Sequence, residues 1–223
     1  MIRSKVRYNK PKLTSSYKVN FGLKIILFGL VAGFISSIGV STLIVMVEKV
    51  TSVPAGAFYL VLMLTITGNH LYSIYAIIAG LLLHLVVGSL IGVFMVLPIL
   101  VGNGNNKINS SRILHKYAPV YGLCFGFALW LVLFLPITYL MILPALNDIR
   151  DSPMITQQDP TGRVAFLVIG DVLSMQNRII IGALAFNMFY GLVTAIILDS
   201  FYNRYLASKE NKDPPQHLPV HNS

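Results

Sequence analysis

Four stretches of this chain contain no Asp, Glu, Lys or Arg: residues 25–47, 71–101, 117–146 and 179–198. Crossing the hydrocarbon core of a bilayer takes roughly 20 consecutive apolar residues in helical form, so each stretch is long enough to span. In lipid a helix satisfies its own backbone polar groups, which makes it the form expected of such runs. The second and third runs exceed a single span, so tilt or extension beyond the lipid is expected. Two shorter apolar stretches, 55–67 and 164–169, cannot span and read as re-entrant, interfacial or loop-packing segments. The first run is expected to be a retained helix. A signal core is roughly 7–15 residues and ends at a small-residue cleavage site, and this run shows neither feature.

Composition agrees. Hydrophobic residues make up 55% of the 223 and charged ones 11%, with a mean hydropathy of +0.72. A soluble domain carries about 25% charged residues, so an ordinary solvated surface is excluded. The one cysteine, Cys124, excludes an internal disulfide framework and any multi-cysteine metal site.

The formal charge of +9 points to a membrane surface rather than to nucleic acid, because of where the cations lie. Arg3, Lys5, Arg7, Lys10, Lys12, Lys18 and Lys24 precede the first run, Lys107, Arg112 and Lys116 separate the second from the third, and Arg204, Lys209 and Lys212 follow the fourth. The opposite flanks hold Lys49, Arg150, Arg163 and Arg178, diluted by Glu48, Asp148, Asp151, Asp159 and Asp171. Lys and Arg near span ends stay on the cytoplasmic side. Both termini are therefore expected in the cytoplasm, with the protein in the plasma (inner) membrane. The basic N-terminal segment would also gain about 1 kcal/mol per cation held near anionic lipid head groups.

The chain repeats itself in order. Phe28-Gly29-Leu30 and Gly33-Phe34 match Tyr121-Gly122-Leu123 and Gly126-Phe127; Gly80, His84, Gly88 and Gly92 match Ala183, Asn187, Gly191 and Ala195. Four-residue spacing puts each set on one helix face, and small residues let helices approach closely in lipid. Each stripe predicts a helix–helix contact, with His84 and Asn187 facing one another or a shared interior. Two spans per unit would relate the halves by an axis along the membrane normal. The fold expected is all-α and polytopic, four transmembrane helices in two parallel-related repeats. Its parts are a basic segment 1–24, a first repeat 25–101, a cytoplasmic loop 102–118, a second repeat 119–198 with an outer loop 147–178, and a polar tail 199–223.

Ionisable residues inside a membrane are costly and mark functional sites by default, which singles out His84. It reads either as a neutral imidazole bonded to Asn187, Ser36, Ser37, Ser41 or Thr42, or as a proton-relay or ligand-binding group. A metal at His84 lacks companion ligands, since catalytic metals usually take three from the protein. Ser36, Ser37, Ser41 and Thr42 also read as close-packing residues that return hydrogen bonds to their own helix. Pro136 removes a backbone hydrogen bond and predicts a kink. Trp130 lies inside the third run and predicts packing against a neighbouring helix or a partner protein. Tyr202 and Tyr205 read as interfacial-belt residues. Glu48, Lys49, Asn69 and His70 read as solvated helix ends or the rim of a polar vestibule.

The aromatic-Gly-Leu start at Phe28-Gly29-Leu30, followed by Gly80, His84 and Gly88 on a later helix, resembles small duplicated four-helix inner-membrane proteins of the uncharacterised YagU-like group. That resemblance covers roughly residues 25–200. It implies a topology and no activity; Asn187 departs from it by standing where the first repeat has His84. No phosphate loop, dinucleotide fingerprint or nucleophile–base motif is present, and the spans hold no carboxylate for acid–base work. The chain therefore reads as non-catalytic and without a cofactor. The leading expectation is an accessory subunit of a larger membrane assembly, redox and transport complexes among the candidates. The alternative is a small transporter or channel for a proton or small neutral solute, with His84 and Asn187 lining the path. A site shared with a partner chain through His84 or His70 is a third.

Overall fold

The computed structural model describes residues 15–67, 74–102, 107–151 and 160–210. These residues are almost entirely helical, with no strand among them. The elements are α1 (Ser15–Val50), α2 (Ala57–Thr67), α3 (Ile74–Gly102), α4 (Lys107–Leu129), α5 (Leu135–Ile137), α6 (Leu143–Asp151), α7 (Pro160–Ser174) and α8 (Gln176–Glu210). Two π-helical segments, Trp130–Phe134 and Thr138–Ile142, join α4, α5 and α6 into one rod. Four helices are long and apolar enough to cross a membrane, over Gly22–Val50, Ile74–Pro98, Lys116–Arg150 and Gln176–Tyr205.

The helices outrun the apolar stretches at several ends. α1 starts within the expected basic segment, α4 within the expected loop, and α8 runs through part of the expected tail. Hydropathy marks where lipid ends, not where hydrogen bonding ends. Lys and Arg are good helix formers, and their long stems let the charge reach water while the backbone stays helical. The apolar stretch 55–67 forms α2, and 164–169 lies inside α7.

Two antiparallel pairs, α1 with α3 and α4 with α8, form the main packing faces, and α1 against α8 joins them. Glycine makes both pairs possible. A Cβ on Gly29 would lie 2.8 Å from the Gly92 carbonyl oxygen, and one on Gly33 would lie 2.5 Å from that of Gly88. In the other pair, Gly122 faces Gly191 and Gly126 faces the backbone of Asn187 and Met188, with a Cβ on either glycine 2.7 Å or less from its nearest neighbour. At such separations a side chain would replace backbone contact with overlap.

The seams refine the stripes read from sequence. Gly88 and Gly92 meet α1, whereas Gly80 meets α2, where a Cβ would overlap the Tyr59 carbonyl oxygen. By its seam partner Asn187 corresponds to Gly88, one helical turn from the correspondence with His84 that residue spacing predicts. Ala183 and Ala195 are buried.

α8 crosses the first pair at its seam. The Tyr190 hydroxyl donates to the Gly88 carbonyl, and Thr194 Oγ1 lies 2.8 Å from Ser36 Oγ. Near the chain ends Phe28 stacks on Phe201 at 5.3 Å between ring centroids, so the early part of α1 and the late part of α8 share one end of the bundle. Tyr202 belongs to the buried core there, with Ile25, Ala32, Met95 and Leu198; the belt position expected for it is corrected. Tyr205 packs near Phe28 and under the Lys24 ammonium. At the other end α2, α6 and α7 share a cluster of Leu60, Leu64, Leu146, Ile149, Val168 and Ile169.

Pro136 lies between the two π-helical segments. Its ring crowds the carbonyl one turn back and it donates no hydrogen bond. The widened turns are seen in the Leu135 N–H bonding to Trp130 and the Leu143 N–H bonding to Thr138, each five residues back. Trp130 Nε1 donates to the Ile180 carbonyl at 3.0 Å, so the tryptophan serves a helix contact within the chain.

Replacing Gly92 or Gly191 with Ala is expected to destabilise by about 1–3 kcal/mol, the usual cost of overpacking, read as a lower unfolding midpoint in detergent. Gly182 has nothing within 4 Å of a built Cβ, and Gly182→Ala is expected to be neutral or to stabilise by up to about 1 kcal/mol through helix propensity. Equal effects at all three positions would refute the seams.

Candidate functional site

Hydroxyls in membrane helices normally return a hydrogen bond to the carbonyl one turn back. Most of those in this chain do so. Ser36 bonds to Ala32, Thr42 to Ile38, Thr65 to Val61, Ser89 to Leu85, Thr194 to Tyr190 and Ser200 to Ile196. Asn187 likewise donates to Ala183 at 2.8 Å. Of the polar residues the sequence singled out, Ser36, Thr42 and Asn187 are therefore satisfied within the chain.

Ser37 and Ser41 behave differently. Their Oγ atoms are buried without a hydrogen-bond partner, as are the Tyr59 hydroxyl, His84 Nε2 and Thr138 Oγ1. The residues that carry four of these five atoms are neighbours in a chain of contacts. The Ser37 backbone carbonyl faces the His84 ring. The Tyr59 and Phe58 rings lie 5.9 Å and 6.2 Å from it. Ser41 and the Tyr59 hydroxyl are hydrogen-bond neighbours, with the pair outside strict hydrogen-bond geometry. Ser37 is 1% exposed and Tyr59 2%, while Ser41 and His84 are half-buried as whole residues.

Three elements build the site. α1 supplies Ser37 and Ser41, spaced four residues apart on one face. α3 supplies His84, flanked on the same face by Gly80 and Gly88. Gly80 admits α2, and a Cβ at Gly88 would overlap Ser37 Oγ, so both glycines hold the walls close. α2 supplies Phe58 and Tyr59. His84 and Asn187 meet different neighbours, His84 the first helix pair and Asn187 the seam with Gly126. Asn187 Nδ2 donates to the Ala183 carbonyl of its own helix.

Glu48 is also not what the sequence suggested. It is 6% exposed, and its carboxylate accepts from the Gly56 N–H at 2.8 Å and the Phe58 N–H at 2.9 Å. It caps the N-terminus of α2, where free N–H groups and the helix dipole favour a negative charge. Lys49 is exposed; Asn69 and His70 lie outside the described residues. Tyr59 and Glu48 were missed as site residues because Tyr59 sits in an apolar stretch and Glu48 acts across a turn. An acid placed shortly before a Pro54–Gly56 turn and a helix start was the available signal.

Each unpaired buried polar group costs about 1–3 kcal/mol, and more in hydrocarbon. Native structures carry few, and they call for a water, ion or functional guest. The four residues together carry three hydroxyls, each able to donate or accept, and an imidazole. The Glu48 charge is engaged by α2, so the cluster presents neutral groups. His84 Nε2 bonds to neither serine, so no activated nucleophile is formed. Among the described residues no three His, Cys, Asp or Glu come together as a metal site. Compared with protein-family models, curated proteins and solved structures, the chain matches none.

Thr194→Ala is expected to cost about 1 kcal/mol in unfolding free energy, because it removes an intrachain bond to buried Ser36. Ser37→Ala removes a hydroxyl with no such partner and is expected to leave stability unchanged or raised in the same detergent assay. Matching losses for the two would show that Ser37 has a partner within the fold.

Proposed function

We propose that this chain is a non-catalytic, multi-pass protein of the plasma (inner) membrane that passes a proton or a small neutral solute by way of the Ser37, Ser41, Tyr59 and His84 cluster. One observation carries the reading: Ser37, Ser41, Tyr59 and His84, neighbours in a chain of contacts among α1, α2 and α3, each hold a buried polar atom outside hydrogen-bond geometry. Asn187, expected from the sequence on the same path, spends one amide N–H on its own helix and is given the lesser part. The lining offers hydrogen bonds without charge, which suits small neutral species and disfavours large or charged ones. The surplus of Lys and Arg flanking the end shared by α1 and α8 supports cytoplasmic termini. The likeness of the Gly29–Gly92 and Gly122–Gly191 seams supports two related halves, of the kind in which transporters build a site.

A second reading, an accessory subunit of a larger membrane assembly, is favoured by one feature. The apolar windows of α3 and of the α4–α6 rod are only 17% buried within the chain, against 33% for α1 and α8. On α3, Leu82, Val86, Leu90 and Phe94 form an outward stripe that lipid or another subunit would cover. Isolation from native membranes in mild detergent separates the two: fixed-stoichiometry partners favour the subunit, a monodisperse single-chain species counts against it.

In reconstituted vesicles, His84→Ala is expected to lower proton or small-solute flux at least tenfold, with Asn187→Ala close to the unsubstituted chain. Absence of any flux, or equal flux through the His84 variant, would end the transport reading.

A further inference from the structure

α2 is too short to span, yet it supplies half the side chains around His84. What holds it there is therefore part of the site. The turn between α1 and α2 contains two left-handed positions, Ser52 at φ 60° and Gly56 at φ 85°, the first unusual for a residue with a side chain. Glu48 closes this turn. One carboxylate oxygen accepts from Gly56 and the other from Phe58, so a single side chain fixes both the hinge residue and the first aromatic of the wall. Its charge also acts on the Tyr59 hydroxyl. A buried carboxylate is costly to desolvate, and neutral caps such as Ser or Asn satisfy a helix start as well. Two charge-assisted bonds gain a fixed position for α2 that a single neutral bond would not give.

We propose that Glu48 is a positioning residue for the cluster: by gripping the amides of Gly56 and Phe58 it holds α2 as the wall that closes Ser37, Ser41, Tyr59 and His84 from the surface at that end of the bundle. This rests on the cluster being the working site. Release of the grip frees the end of α2 that carries Phe58 and Tyr59, while Leu60 and Leu64 keep the rest of α2 in the apolar cluster with α6 and α7. Access to the cluster is then set at the Glu48 carboxylate, outside the cluster itself.

The test uses the full chain with Cys124→Ala and a single reporter, Ser41→Cys, beside Tyr59. A membrane-impermeant maleimide is expected to label the reporter slowly while Glu48 is present and at least tenfold faster in Glu48→Ala. Glu48→Gln keeps one carbonyl acceptor and is expected to fall between them. Ser36→Cys, on the α8 side, is expected to stay slow in both backgrounds; a rise there in step with Ser41→Cys would mean general loosening and overturn the proposal. So would labelling of Ser41→Cys within twofold of the parent in a folded Glu48→Ala chain. Should Glu48→Ala fail to fold, hydrogen exchange in the unsubstituted chain decides: slow exchange at Gly56 and Phe58 supports the grip, and exchange as fast as free turn amides overturns it. Labelling needs no transported solute, so a failed flux assay and a failed grip are distinguishable.

Discussion

Direct contact between helix backbones is the constraint on which this structure depends. Lipid tails are as apolar as Leu, so no water-driven force pulls two spans together, and close packing has to do so. At the Gly29–Gly92 and Gly122–Gly191 seams no Cβ stands between the two backbones. Such approach brings Cα–H groups to facing carbonyls, a weak attraction that accumulates along a seam. It also decides where larger side chains go. With glycine on the inner faces, Leu, Val and Phe turn outward to lipid, and the few polar groups near the seam are trapped between helices.

Trapping has two outcomes. α8 brings Tyr190 and Thr194 across to α1 and α3, and both find partners, at Gly88 and at Ser36. Trp130 finds the Ile180 carbonyl, and Asn187 finds its own helix. These polar groups fasten the bundle, whereas Thr138 Oγ1 stays unpaired. On α1, α2 and α3, Ser37, Ser41, Tyr59 and His84 each keep a buried polar atom outside strict hydrogen-bond geometry. Simple tolerance of polarity would have left Ser37 and Ser41 back-bonded like Ser36 and Thr42.

The spans were legible because hydropathy over about 20 residues registers lipid directly. The small-residue stripes were legible too, but not their partners. A four-residue stripe on a straight helix outlasts contact with a single neighbour, which is why Gly88 and Gly92 serve α1 while Gly80 serves α2. Register was illegible for a related reason. Sequence spacing matched Asn187 to His84, whereas Asn187 meets Gly126 as Gly88 meets Gly33, and a slip of one turn preserves every stripe while exchanging which polar residue it presents. Tyr202, at an apolar run's end, resembled a belt residue until the continuation of α8 placed it against Leu198 and Ile25. Glu48 lay beyond reach because its bonds cross a chain reversal, and nothing periodic marks an acceptor eight or ten residues from its donors.

The placement of α2 connects these points. A short apolar helix alone has neither the length to span nor the polarity to remain in water, so it needs a seat and a tether. Gly80 is the seat, the stripe residue whose missing side chain admits the α2 backbone, and Glu48 is the tether. Once both are in place, the rings of Phe58 and Tyr59 come to His84, and a residue that would otherwise face lipid is enclosed with three hydroxyls. The short helix α7 packs differently, through Val168 and Ile169 into the apolar cluster with α2 and α6. Among the described residues, four of the five buried unpaired polar atoms lie on α1, α2 and α3, so two similar glycine seams differ in the polar groups set beside them.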